Sequence, residues 1–152
     1  MNEVEAFHRD HIAGRPTVAV HVRGLDKGGE AGPMPTLRDY FTVMDRVPAA
    51  WRIFLLSDDE RAVAAFRERY GERIVCTPSQ RGSGDIGLHY RPSSDRIRLG
   101  REVMVDVYLA LRCDRFFGMG WSNVSSIIAM LKPWARGACA LQGPCVLMHR
   151  LV

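Results

Sequence analysis

Short apolar runs alternate with longer stretches of helical periodicity along this chain, and that alternation constrains its fold more than any other feature. The first run is 17–23. Val18, Val20 and Val22 alternate with Thr17, Ala19, His21 and Arg23, so the two sets point to opposite faces of a strand. Ile53-Phe54-Leu55-Leu56 is apolar throughout, the mark of a strand buried on both faces. Further strands are predicted at 74–77, ended by Pro78, at 115–120 with its glycine turn, and at 138–141.

Helices fill the intervals. In 36–47, Thr36 can cap and Leu37, Tyr40, Phe41 and Met44 form one apolar stripe, with Pro48 as the stop. Ser57 and Glu60 stand in capping-box spacing before a helix over 60–70, whose Val63, Phe66 and Tyr70 face inward and which Gly71 ends. A long helix is predicted over 99–112, apolar nearly all round and therefore buried. Trp121-Ser122-Asn123 leads into another that carries Val124, Ile127, Ile128 and Leu131, closed by Pro133. Strands alternating with helices imply a parallel sheet covered on both faces, an α/β, Rossmann-like, doubly wound fold. Neither GxGxxG after the first strand nor GxxxxGK[ST] occurs, so the dinucleotide fingerprint and the P-loop are both absent.

At 152 residues the chain is long enough for one domain with a real core, not two. Residues 1–16 are polar and predict a solvated tail before a single domain over 17–152. The segment 79–98 predicts a long irregular loop, which is either a functional lid bearing His89 or a surface excursion. The net charge of +4 is the excess of 21 Lys and Arg, spread along the chain, over 17 Asp and Glu. With no run of five like charges, nothing marks a nucleic-acid tail. Cys76, Cys113, Cys139 and Cys145 form no CxxC pair and have no zinc-like His spacing. They read as buried free thiols in a reducing compartment, and no metal site is expected. No apolar run approaches the roughly 20 residues of a membrane span, and the acidic N-terminus has no apolar signal core, so a cytoplasmic location is expected.

Chemistry concentrates where the first strand ends. His21 and Arg23 share a face just as the apolar run gives way to a glycine-rich loop. A guanidinium there matches phosphate oxygens in bidentate fashion, and open parallel sheets bind ligands outside the carboxyl ends of their strands. Within 99–112 the acid Asp106 lies among apolar residues. It is either an inward carboxylate that needs a partner or part of a narrow outward face with Glu102 and Cys113. Gly118-Met119-Gly120-Trp121-Ser122-Asn123 places a Ser/Asn cap after a strand and glycine turn, an arrangement that aims backbone N–H groups at an anion.

His21-Val22-Arg23-Gly24-Leu25-Asp26-Lys27 resembles the first motif of the α1,6-/protein-O-fucosyltransferase superfamily, which includes nodulation fucosyltransferases. Leu55-Leu56-Ser57-Asp58-Asp59 is similar to that family's strand ending in a Thr/Ser-Asp-Asp triplet. Gly100 to Ser126 resembles its third motif, and Gly87-Leu88-His89 sits where the family often has a similar tripeptide. The resemblance covers 17–135 and departs at Gly24 and Leu25. It implies the C-terminal, nucleotide-sugar-binding half of a GT-B glycosyltransferase: inverting, metal-independent, without a cofactor, and using GDP-fucose or a related GDP-sugar as donor to a glycan or other hydroxyl acceptor. Arg23 would then bind the β-phosphate and offset charge on the leaving GDP. His21 and Asp106 would hold the guanine, and Ser122 and Asn123 would contact phosphate. Glu30, one residue out of register with the position of that family's catalytic base, would serve as the base, with Lys27 matching a nearby lysine. The amino-terminal domain that completes the cleft in that family has no counterpart in this sequence. The alternatives are a catalytically incomplete module that binds nucleotide without transfer, a truncated fragment of such an enzyme separated from its amino-terminal domain, or a basic interaction domain with no small ligand.

Overall fold

The computed structural model describes residues 2–23, 35–83 and 95–143. Five strands, β1 (Thr17–Val22), β2 (Arg52–Ser57), β3 (Ile74–Val75), β4 (Arg115–Met119) and β5 (Cys139–Gln142), form one sheet. Its spatial order is β3-β2-β1-β4-β5 and every pairing is parallel. The helices are α1 (Asn2–Phe7), α2 (Leu37–Met44), α3 (Glu60–Tyr70), α4 (Arg96–Ala110) and α5 (Asn123–Leu131). The expected α/β alternation and parallel sheet are therefore present.

The alternation in β1 divides the core. Val18, Val20 and Val22, with Ile53 and Leu55 of β2, pack beneath α2 and α3 through Tyr40, Met44, Val63 and Phe66. Ala19, with Phe54, Leu56 and Phe116, packs beneath α4 and α5 through Val107, Leu109, Ala110 and Ile128. Every β1 residue is buried, as expected of a central parallel strand with helices on both faces. His21 shares the parity of Ala19 and so faces the α4/α5 layer.

Several boundaries differ from expectation, each for a local reason. Ser57 does not cap α3. β2 extends to pair Ser57 with Val22, and the cap passes to Asp59, whose carboxylate accepts from the Arg61 backbone N–H at 2.8 Å. β3 is two residues long because only Ile74 and Val75 find partners on β2. α4 begins three residues early, at Arg96, capped by Asp95. It is also not buried all round. Met104 and Tyr108 are 43% and 52% exposed, because only one side of the helix meets the sheet.

The solvated tail predicted for 1–16 is instead a helix followed by a π-helical turn over His8–Ile12. Ile12 is 3% exposed and the Phe7 ring lies 6.1 Å from that of Phe54. Glu3 pairs with Arg101 at 2.6 Å, Glu5 pairs with Arg112, and Arg52 donates to the His11 carbonyl. Exposed ion pairs of this kind contribute little, so burial of Val4, Phe7 and Ile12 is what docks the segment.

Candidate functional site

The chain runs β1→β2→β3 toward one edge of the sheet, then crosses back so that β4 lies on the other side of β1. The crevice between the carboxyl ends of β1 and β4 is thus a topological switch point, where open α/β sheets bind ligands. His21 closes β1 at this point, and α5 starts just beyond β4.

His21 is 7% exposed. Its Nδ1 lies 2.7 Å from Ser125 Oγ, which also accepts the Met119 backbone N–H at 3.1 Å. Gly118 makes this possible. A Cβ at that position would sit 2.6 Å from Ser125 Oγ and 2.7 Å from the Phe116 ring, closer than real Cβ atoms approach, so only glycine lets α5 settle this close to β4. Burial, reinforced by the charge of Arg23, lowers the His21 pKa to about 3. The imidazole is therefore neutral at physiological pH.

Arg23 lies just past β1 with its Nη1 3.7 Å from Asp58 Oδ2, its side chain 19% exposed. Asp58 is held by the loop opposite: its carbonyl accepts from Gly82 N at 2.8 Å, and the Gly82 carbonyl accepts from Glu60 N at 2.9 Å. Ser122 is the buried N-cap of α5, with its hydroxyl making no capping bond, and Asn123 beside it is exposed. The structure thus brings His21, Arg23, Ser122 and Asn123 to one end of the sheet.

Asp106 has a different anchor, and the inward reading of this acid is the one observed. Its Oδ1 accepts from Thr77 Oγ1 at 2.6 Å, and Thr77 Oγ1 lies 2.7 Å from Ser79 Oγ. Arg81 donates to the carbonyls of Thr77 and Ser79 at 2.7 and 3.0 Å, which fixes the loop after β3. Burial raises the Asp106 pKa to about 6, against the opposing pull of the Thr77 bond and the Arg81 charge, while Glu102 nearby adds to the rise. β3 and β1 are separated by β2 alone, so Asp106 and His21 stand over strand ends about 10 Å apart. Glu30, Lys27 and His89 lie outside the described residues. No cluster of three or more His, Cys, Asp or Glu that could hold a metal ion occurs among the described residues, and no described helix is long and apolar enough to cross a membrane.

The sequence pattern did not reveal Ser125, Gly118, Thr77 or Arg81. A glycine inside a strand is a sign of close backbone approach, and Gly118 carried that sign.

The architecture is an α/β, Rossmann-like fold of the kind seen in GT-B-like fucosyltransferases. It is similar to NodZ α1,6-fucosyltransferase co-crystallised with GDP, with a TM-score of 0.63 and 17% identity. The same protein soaked with GDP-fucose gives 0.63 and 18%, and fucosyltransferase NodZ from Bradyrhizobium 0.60 and 16%. Each likeness covers 87% of this chain and 41% of the other, so the chain spans about two-fifths of the length of those enzymes. At such identity the likeness is one of fold. No family model and no curated protein sequence matches the chain.

Proposed function

We propose that this domain binds the nucleotide diphosphate of a GDP-sugar donor, GDP-fucose or a close relative, for inverting and metal-independent transfer to a glycan or other hydroxyl acceptor. The observation that carries the reading is the grouping of neutral His21, Arg23 and the start of α5 at the switch point of a sheet whose fold matches GDP-bound NodZ.

In this reading Arg23 grips the β-phosphate, and its fixed charge offsets the negative charge that develops as GDP departs. Ser122 and Asn123 add phosphate contacts from the first turn of α5. Asp106, ionised, accepts from the amino and ring N–H groups of guanine, and His21 contributes a second contact to the base. Glu30 would be the general base for the acceptor hydroxyl, with Lys27 near it. A second reading is a module that holds the donor without transferring it: the described residues gathered at the switch point, His21, Arg23, Ser122 and Asn123, would all address the nucleotide.

Calorimetric titration with GDP and GDP-fucose tests the proposal. Wild type should bind both, and Arg23→Ala should weaken GDP by about tenfold or more, the loss of a charge-assisted phosphate contact. No binding of GDP by the wild type overturns both readings. Binding without release of GDP from GDP-fucose, with or without acceptor, selects the module.

A further inference from the structure

We propose that Ser125 is a positioning residue that locks His21 as the Nε2–H tautomer, so that the imidazole meets the nucleotide as an uncharged hydrogen-bond donor. The inference rests on the nucleotide reading only for the ligand's identity. The tautomer follows from counting protons. A serine hydroxyl has one proton to give and two lone pairs to receive. The Met119 N–H already occupies one lone pair of Ser125 Oγ. The contact to His21 Nδ1 can then run in two ways. Either the serine proton goes to Nδ1, or an Nδ1–H fills the second lone pair and the serine proton must find another acceptor.

Among the described residues no other acceptor bonds Ser125 Oγ, and its residue is fully buried, so water does not substitute. A buried hydroxyl proton without an acceptor is costly, whereas the first arrangement satisfies every group. Nδ1 is therefore the acceptor, and the ring carries its proton on Nε2. Among the described residues Nε2 has no hydrogen-bond partner, which leaves it for a ligand.

The arrangement is built into the backbone. Gly118 gives up its side chain so that Ser125 Oγ can lie where a Cβ would be 2.6 Å away, and the Met119 amide that orients the hydroxyl is the next residue along β4. The low His21 pKa agrees with this: the ring stays neutral, with one proton to offer. A neutral donor suits an acceptor atom of the ligand, a base carbonyl, a ring nitrogen or a phosphate oxygen, while leaving charge neutralisation to Arg23.

Long-range 1H–15N spectra of the full chain, with the His21 signal assigned by its loss in His21→Gln, read the tautomer directly. We expect Nε2 protonated and Nδ1 unprotonated throughout pH 5–8. Ser125→Ala should mix the tautomers and weaken GDP about three- to tenfold, with Ser125→Thr restoring both readouts. A wild-type spectrum with protonated Nδ1 overturns the inference, whatever the variants do. So does a folded Ser125→Ala protein that binds GDP as tightly as wild type. If the wild type shows the expected tautomer yet binds no GDP, the donor role toward a nucleotide falls with the functional reading, while the Ser125–His21 lock stands.

Discussion

Thr77 and Asp106, 29 residues apart in sequence, are joined by a hydrogen bond of 2.6 Å between the loop after β3 and the inner side of α4. Thr77 gives its only proton to the carboxylate, so the 2.7 Å contact with Ser79 is one in which Ser79 donates. The pair sets the position of the acid proposed to read guanine. Replacing Thr77 with Val keeps the shape and removes the donor. We expect Thr77→Val to lower GDP affinity about three- to tenfold in calorimetry and Thr77→Ser to keep it. Equal affinity in all three proteins removes Thr77 from the site.

Acid should weaken nucleotide binding in a defined window. Asp106 has its pKa raised to about 6, and only its ionised form accepts from two N–H donors. Between pH 7.5 and pH 5 the ionised fraction falls to roughly a tenth, so GDP affinity should fall about tenfold. Asp106→Asn should bind weakly and nearly independently of pH across that range. A wild-type affinity that is flat from pH 7.5 to 5 contradicts the role.

Stability should respond to pH through His21 with the opposite sign to Asp106. The folded pKa of His21 is depressed to about 3 from 6.5, so below 6.5 the unfolded chain takes up a proton that the folded one refuses. Its contribution is present above pH 6.5 and is lost as pH falls toward 3, at up to about 1.4 kcal/mol per pH unit. Asp106, with a raised folded pKa, gains relative stability as pH falls through 6 toward its ordinary value. Urea denaturation at pH 7 and pH 5 should show wild type losing about 1–2 kcal/mol more than His21→Gln over that interval. The same loss in both proteins would mean that His21 is not buried neutral.

The amino-terminal helix should be part of the folding unit. Ile12 is 3% exposed in the core beneath α4 and α5, and truncation of a buried Ile leaves a cavity. Ile12→Ala should cost about 2–5 kcal/mol, measured as a shift in urea midpoint. A change below about 0.5 kcal/mol is what a solvated tail would give.

The layers of the fold were legible because their signal is periodic. The alternation in 17–22 gives the two faces of β1, and the unbroken run 53–56 gives a strand buried twice over. What was not legible depends on partners distant in sequence. α1 has too few apolar residues to announce itself, and its docking depends on Phe54, a strand away from any local pattern. Asp59 rather than Ser57 caps α3 because β2 pairs with β1 as far as Ser57, a matter of sheet register that a capping pattern does not contain. The same holds in the site. His21 and Arg23 are two residues apart and could be read together. Ser125 is 104 residues from His21, and no spacing rule links them.

The central place of β1 also has a consequence for how the chain acquires its structure. One side of β1 pairs with β2, about 35 residues downstream, but the other waits for β4, with Thr17 N–H reaching Asp114 Oδ2 across 97 residues at 2.8 Å. During synthesis β1, a strand buried along its whole length in the finished fold, therefore has an open edge until the residues from Arg115 onward have emerged. Loop closure of that span is slow compared with local helix formation. β1 in this interval is an unpaired, uncharged edge of the kind that templates aggregation, which makes prompt capture by β4 the step on which productive folding turns.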